Sequence, residues 1–523
     1  MRPSATAGGS DGGDQAEVIA FLSDPASYPT RPAQVTRFET HGALVFLAGD
    51  EAWKIKRAVH FPYMDLSTLE RRRAVCAREI EINRRLAPQI YLGCVPIVRT
   101  ADGRLQLGGD GEVMEWAVHM RAFGQSALLS RLAEAGELGS DLERDLADAV
   151  YQSHRTVPPV AGAEGAARIG RLIASVSATL NEHADIFPPG ELATFDVRAA
   201  AQMERAAAIL DTRAAAGSVR RCHGDLHLNN IVLWQGRPVL FDALEFDEEL
   251  ATIDTLYDLA FLLMDLDRRG RRAAANAVLN RYLWRSGADL DLQGLLALPL
   301  LLGLRSAIRA MVTAERAAQE QGEAHARDRR EAGSYLAAAV AYLTPAPPRL
   351  VAVGGLSGTG KSTLARALAP ALDPAPGAVH LRSDLERKAL FGVEETTRLG
   401  AEAYTEAAGQ KVYATLCHKA RLVLDAGHPA IVDAVFAHAG ERAAIERVAA
   451  DLGVPFRGLW LEAAPQRLTD RVSARRSDAS DATTDVVRQQ LTFDTGALAA
   501  SWTRLDAGGS AAETLAAARQ ILA

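Results

Sequence analysis

Residues 221–233 read RCHGDLHLNNIVL, and how they are read decides the first half of the chain. His223, Asp225 and His227 alternate two imidazoles with a carboxylate, a pattern that suits a transition metal. Such a site wants further ligands, and none of the other histidines, of 12 in all, groups around it. The downstream residues favour another reading. Asn230 stands five residues after Asp225. Asp242 follows in PVLFDALEF, after a gap that holds a short hairpin: NIVLW, a turn at Gln235-Gly236, then PVLF. One acid to prepare a hydroxyl, then an amide and a second acid to hold a divalent cation, is the set that phosphoryl transfer needs at this spacing. His223 is then a packing and hydrogen-bonding residue, not a ligand.

The 523 residues are too many for one core and predict two to four domains. Hydrophobic residues at 48% and charged residues at 24% are ordinary globular values, so core burial is not limiting. A formal net charge of -7 argues against general binding to nucleic acid or a membrane surface, which needs a basic face. Cys76, Cys94, Cys222 and Cys417 lie far apart without a Cys-x-x-Cys pair, so neither a disulfide framework nor a zinc ribbon is expected. The opening MRPSATAGGSDGGDQ has no apolar core and reads as a disordered tail over 1–15, not a signal peptide. The longest apolar run, LLALPLLLGL at 295–304, falls far short of the ~20 residues a bilayer needs. A soluble cytoplasmic protein is expected.

Along the chain, residues 36–56 read as strand, tight turn at Gly49-Asp50, strand, and a helix follows over about 66–86. EVMEWAVHMRAF at 112–123 reads as a strand entering a connector. Ala- and Leu-rich helices are expected over 125–215 and 250–343. TPAPPRL at 344–350 cannot continue a helix and reads as a stiff linker. It divides a first domain, 16–343, from a second, 351–523. Beyond it, RLVAVGGL, KSTLARALAPAL, GAVHLRSD, PAIVDAVF and FRGLWLEA alternate strand and helix, as in a parallel α/β sheet.

The second domain carries GGLSGTGKST, with Gly355-x-x-x-x-Gly360-Lys361-Ser362 after an apolar strand and opening a helix. This is the phosphate-loop (P-loop) pattern, whose backbone N–H groups curl around phosphate oxygens. Gly355, Ser357, Gly358, Thr359, Gly360 and Thr363 are expected around the nucleotide, with Lys361 on the terminal phosphates and Ser362 on Mg²⁺. Asp433, closing AIVDA, is the candidate Mg²⁺-side carboxylate. Asp384, closing VHLRSD and followed by Arg387 and Lys388, is either an acceptor-binding or catalytic acid or, with Ser383, a helix cap. Arg471, Arg475 and Arg476 form either a phosphate-covering lid or a solvated basic face.

HGDLHLNN resembles the His-Gly-Asp-Leu-His-x-x-Asn signature of the aminoglycoside phosphotransferase family, which has the fold of protein kinases. The resemblance covers about 16–343. It implies that Asp225 orients or deprotonates the acceptor hydroxyl while Asn230 and Asp242 hold Mg²⁺. It also implies a strand lysine paired with a helix glutamate. EAWKIK offers Lys54 or Lys56, with Lys54 the better match, and CAREIEINRRL offers Glu79. THGALVFLAG occupies the nucleotide-loop position without a Gly-x-Gly-x-x-Gly pattern, and MEWAVHM would be the hinge facing adenine. The second half, roughly 349–523, resembles the small-molecule kinase branch of P-loop proteins, of the gluconate-kinase and zeta-toxin type.

Together these imply an α+β, bilobal, kinase-like domain followed by an α/β P-loop domain. The implied reaction is ATP- and Mg²⁺-dependent phosphoryl transfer to a hydroxyl of a small molecule, a sugar, sugar alcohol or aminoglycoside-like compound. Two alternatives stand beside it: one domain catalytic with the other a nucleotide-binding regulator, or a nucleotide-gated interaction protein. Arg305 and Arg309, one turn apart, are expected to pair with Asp265 or Asp267, or else to meet an anionic acceptor.

Overall fold

A computed structural model describes residues 12–40, 42–61, 64–474 and 479–522. They fall into two compact units. The first holds the residues up to 138 with 152–158 and 220–253; the second holds 139–151, 159–219 and 254–523. Compactness thus divides the chain differently from the proline segment. Residues 345–349 are an irregular connector, yet most helices before it are grouped with the sheet after it.

The first unit rests on a six-stranded antiparallel sheet in the order β1–β2–β3–β6–β4–β5. Its strands are β1 (Val35–Glu39), β2 (Ala43–Ala48), β3 (Glu51–Lys56), β4 (Tyr91–Arg99), β5 (Leu105–Leu107) and β6 (Glu112–Arg121). Alternation along β3 sends Trp53 and Ile55 to one face and Ala52, Lys54 and Lys56 to the other. Trp53 and Ile55 pack with Phe46, Ile97 and Ala117 beneath Val18 and Leu22 of α1 (Gly12–Ser23). The opposite face receives α2 (Leu69–Leu86), whose Cys76 and Ile80 cluster with Ala52, Val118 and Met120. Burial of each large apolar side chain contributes roughly 1.5–3 kcal/mol, so both faces of the sheet are pinned.

α1 begins inside the stretch expected to be a tail, because Gln15 is anchored. Its amide donates to Lys56 O at 2.8 Å and to the buried Glu115 Oε2 at 2.6 Å, and its Oε1 accepts from Ala58 N. Residues 1–11 lie outside the described residues. The stretch read as a hinge is strand, as expected for 112–123. Residues 114–120 lie within β6, which pairs with β4 along its length and with β3 from Ala117 onward.

After β6 the first unit returns with the hairpin β7 (Ile231–Trp234) and β8 (Arg237–Leu240). Gln235 and Gly236 have φ of 49° and 80°, the pair of left-handed residues that a two-residue turn between antiparallel strands demands.

The second unit begins with the N-terminal part of α3 (Ser140–Arg155). It continues through α4 (Ala166–Glu182), α5 (Glu191–Ala215), α6 (Thr255–Arg268), α7 (Arg272–Ser286), α8 (Leu298–Gln319) and α9 (Gly322–Tyr342). Arg305 does not take the expected acidic partner. It donates to Tyr257 O at 3.3 Å and lies over the Tyr257 and Phe261 rings, while Arg309 lies over Tyr335. Aromatic faces on α6 and α9 suit the guanidinium plane, Asp265 bonds Arg269, and Asp267 accepts from Tyr342.

A five-stranded parallel sheet completes the second unit, ordered β10–β11–β9–β12–β13. The strands are β9 (Leu350–Gly354), β10 (Val379–Arg382), β11 (Ala430–Asp433), β12 (Phe456–Glu462) and β13 (Trp502–Asp506). β9 is central and buried along its length, which is why it reads as an unbroken apolar run. Among its helices are α10 (Lys361–Leu368), α11 (Ser383–Leu390), α12 (Glu406–Asp425), α13 (Ala439–Leu452), α14 (Pro465–Ser473), α15 (Thr484–Gln490) and α16 (Ala511–Leu522).

The exposed edge of β10 is covered by α7. Asn276 Nδ2 donates to Ala378 O at 3.0 Å, and Asn280 Oδ1 accepts from His380 N at 2.6 Å. Two asparagines one turn apart thereby satisfy backbone groups that an open sheet edge leaves unpaired. That contact explains why the helices and the parallel sheet form one unit. No helix among the described residues is long and apolar enough to cross a membrane.

Candidate functional site

In the first unit, β3 and α2 bring two lysines onto one carboxylate. Lys54 Nζ lies 3.0 Å from Glu79 Oε1, and Lys56 Nζ lies 2.6 Å from Glu79 Oε2. Glu79 is fully buried. Lys54 also reaches Asp242 Oδ1 at 2.7 Å, whereas Lys56 pairs with Glu245. Both sequence candidates for the strand lysine therefore engage the same glutamate, but only Lys54 bridges it to Asp242. Burial by itself would lower both lysine pKa values; the surrounding carboxylates overcome that and raise them, that of Lys54 well above its usual value. Burial would raise the Asp242 pKa, but the Lys54 ammonium holds it below the ordinary carboxylate value.

Asp242 sits at φ 58°, an uncommon backbone state for a non-glycine residue, and its surroundings over-determine it. Its N–H donates to Tyr91 Oη at 3.0 Å, and the next N–H, of Ala243, donates to Asn83 Oδ1 at 2.8 Å. Asn83 lies one turn after Glu79 on α2, so one helix positions both the glutamate and the backbone carrying Asp242. Glu245, Asn83 and Tyr91 were not singled out in the sequence, since nothing local marks them.

The 221–233 loop is ordered by its own side chains. His223 Nε2 donates to Phe241 O at 2.9 Å and its Nδ1 accepts from Asp225 N at 3.3 Å, so His223 links the loop to the strand leading to Asp242. Asn230 Nδ2 donates to Asp225 Oδ2 at 2.9 Å and to Asp225 O at 3.0 Å. His227 Nε2 lies 3.3 Å from the same Oδ2. The Asp225 side chain remains 41% exposed, accessible to an incoming hydroxyl. Asn230 commits its nitrogen to Asp225, so the amide oxygen is the atom it would offer a cation.

In the second unit the phosphate loop joins β9 to α10. Gly355, Gly358 and Gly360 have φ of 136°, 89° and 92°. A Cβ at Gly355 would sit 2.6 Å from Leu461 O, and one at Gly358 2.6 Å from Leu468 O, so both need glycine for space as well as conformation. Thr359 Oγ1 donates to Leu356 O at 2.8 Å, and Lys361 Nζ to the same carbonyl at 3.0 Å. Ser357 N–H donates to Gln490 Oε1 of α15 at 2.7 Å. Thr363 lies in the first turn of α10, exposed.

Ser362 Oγ donates to Asp433 Oδ1 at 3.2 Å, which joins the two predicted Mg²⁺-side residues. His380 Nε2 meets Asp433 Oδ2 at 2.6 Å, a partner the sequence did not point to. Burial pushes the His380 pKa down and would push that of Asp433 up; the hydrogen bond from His380 and the nearby cations bring Asp433 below its usual value.

Asp384 lies in the first turn of α11, and neither it nor Ser383 caps that helix: the capping position is Arg382, without a side-chain cap bond. Lys388 is buried against Asp481 at 2.7 Å, and Arg387 donates to Ala403 O, so both basic residues hold the local fold. Arg471 donates to Gly509 O at 2.9 Å, while Arg475 and Arg476 lie outside the described residues.

Over 474 residues the chain is 33% identical to the uncharacterised protein Rv2004c of Mycobacterium tuberculosis (strain ATCC 25618 / H37Rv), across 88% of this chain and 90% of that one. The chain belongs to that protein's family. The model of the phosphotransferase enzyme family matches residues 65–293, and the AAA domain model matches residues 350–494. The family thus joins a phosphotransferase-type domain to a P-loop domain. An adenylyl-sulfate kinase of Myxococcus xanthus (strain DK1622) is 34% identical over 110 residues, 21% of this chain and 55% of that one. Among solved structures, a choline/ethanolamine kinase family protein from Mesorhizobium loti is 17% identical over 62% of this chain and 99% of that one, with a TM-score of 0.36. The family's two kinase-type domains support phosphotransferase activity on small molecules.

Proposed function

We propose that the first unit catalyses ATP- and Mg²⁺-dependent phosphoryl transfer to a hydroxyl of a small molecule, with a sugar, sugar alcohol or aminoglycoside-like compound as acceptor. The observation that carries this reading is the convergence of Lys54, Glu79, Asp225, Asn230 and Asp242, drawn from a strand, a helix and a loop. The carboxylates of Glu79, Asp242 and Glu245 surround two ammonium groups, and Asp225 acts on Asp242, which leaves an excess of two negative charges. That excess and the oxygen donors of Asn230 and Asp242 fit a hard divalent cation. Mg²⁺ bound there would neutralise charge on the phosphates and in the transition state.

The protein's own groups do the positioning. Glu79 holds the Lys54 ammonium for the phosphate oxygens, and Asp225, steadied by Asn230 and His227, orients the acceptor hydroxyl and receives its proton. Aligned groups of this kind contribute through proximity and fixed charge, with little reorganisation.

For the second unit we propose Mg·ATP binding at Gly355–Thr363 with Lys361 on the phosphates, Ser362 and Asp433 on the cation, and Asp384 on the acceptor side. The alternative role for this domain is a nucleotide-binding regulator, which the same loop would serve. The cysteines are free thiols, which supports a cytosolic setting.

Mass spectrometry of a small-molecule library incubated with Mg·ATP tests both assignments, with wild type, Asp225→Ala and Lys361→Ala compared in parallel. A phosphorylated product lost only in Asp225→Ala makes the first unit the kinase and the second a regulator. Loss only in Lys361→Ala reverses the roles, and separate products lost separately make the protein bifunctional. ATP hydrolysis without any product would replace the kinase reading with a nucleotide-switch one.

A further inference from the structure

The second unit contains a cleft of about 490 Å³ beside the phosphate loop, a size typical of small-molecule pockets. Ser362, Thr363 and His380 line one side, and Asn280, Arg281 and Trp284 of α7 line the other. Ser362 is the hydroxyl already bonded to Asp433, so the cleft opens on the cation side of the phosphate loop.

The cleft's lining is polar but balanced in charge. Five basic groups face four acidic ones, and the inner ones pair with each other. Arg281 forks onto Asp148 at 2.8 Å through two nitrogens and reaches Glu395 at 2.7 Å; Lys419 holds Glu386 at 2.7 Å. A strongly anionic ligand would have to break these pairs, whereas a neutral ligand that hydrogen-bonds at their rims would not. Trp284 adds an apolar plate, stiffened by the Arg281 guanidinium 4.6 Å from its ring centre.

We propose that this cleft binds a neutral polyhydroxylated molecule, a sugar or polyol, and presents one of its hydroxyls to the phosphate loop. This rests on the reading of the P-loop domain as a transfer site. In that transfer the acceptor oxygen bonds to the γ-phosphorus of ATP while the bond from that phosphorus to the β–γ bridging oxygen breaks. ADP leaves with the electron pair, and the hydroxyl proton passes to solvent.

One wall of this pocket, α7, lies in the segment matched by the phosphotransferase model, and the other in the segment matched by the AAA domain model. A P-loop domain cut from the chain at 344–350 would keep its nucleotide loop and lose half of its acceptor pocket.

Saturation-transfer NMR on the full chain tests this, with Mg²⁺ and a non-hydrolysable ATP analogue present. The probes are D-glucose, D-sorbitol and sucrose as neutral ligands and D-gluconate as the anionic one. Ala277→Phe and Ala273→Trp, both on the α7 wall, fill the cleft without touching the phosphate loop, and thermal melts check that each variant folds. Saturation of at least one neutral probe is expected in wild type, falling at least fivefold in both variants, with analogue affinity within twofold of wild type. The proposal is overturned if no neutral probe is saturated, if gluconate alone is, or if the signal survives in a folded variant. Lys361→Ala separates the two readings. Analogue binding that ignores this substitution sinks the P-loop assignment itself, while Lys361-dependent analogue binding without probe saturation sinks only the cleft.

Discussion

The two proposed phosphate-handling sites answer one electrostatic problem with different materials. In the first unit, side chains meet across long stretches of chain: Lys54 and Asp242 are 188 residues apart. In the second, one contiguous loop, 355–362, offers backbone N–H groups. A site built from side chains holds its charged groups by pairing them, and Lys54 and Lys56 are held between Glu79, Asp242 and Glu245. A site built from backbone is limited by space instead, which is why Gly355 and Gly358 stand where carbonyl oxygens approach to 2.6 Å of a would-be Cβ.

The sharpest break of that contrast is Glu79→Ala. Removing a carboxylate shared by two buried ammonium groups should cost about 4 kcal/mol of stability, the range for breaking a buried pair. Denaturant unfolding of the first unit should register it, while nucleotide binding at the phosphate loop stays unchanged. A loss of both would show that the sites are not independent.

Gly358→Ala is the counterpart. An alanine at φ 89° against Leu468 O should cost about 3 kcal/mol through backbone strain. Calorimetric titration with Mg·ATP should show weakened binding that depends on Lys361, with Asp225-dependent transfer retained. Unchanged binding would mean that the loop can move off Leu468.

The smallest expected effect concerns acid. His428 is fully buried, donates from Nε2 to Gly377 O at 2.9 Å, and burial depresses its pKa to about 4. Unfolded, it returns to about 6.5, so between these values the unfolded chain binds the extra proton. Its stabilisation is complete above pH 6.5 and is lost as pH falls toward 4, about 2 kcal/mol between pH 7.5 and 5.0. His428→Asn should flatten that part of the urea-midpoint profile for the second unit, and an identical slope in the variant would assign the acid sensitivity elsewhere.

Legibility follows the same division. The hairpin between Asn230 and Asp242 was readable because a two-residue turn marks it, and the phosphate loop because its glycines fall within one short stretch. Gln15 lay in a segment whose composition argues for disorder, and only the buried Glu115 and Lys56 O it meets could order it. Lys388, noted in the sequence only as following Asp384, turns inward to Asp481, 93 residues away. No local pattern encodes such a partner.

By itself, the sequence determined the kinase-type character of both halves, the order of their elements, and the loop and hairpin that carry Asp225 through Asp242. These depend on periodicity, turn chemistry and short spacing, all properties of neighbours along the chain. Only the tertiary structure decided that Lys54 and Lys56 share Glu79, that His380 backs Asp433, and that Asn276 and Asn280 of α7 close the edge of β10. Those contacts join residues that are distant in the chain, and each exists because a buried charge or an open sheet edge must be satisfied by whatever packing brings near.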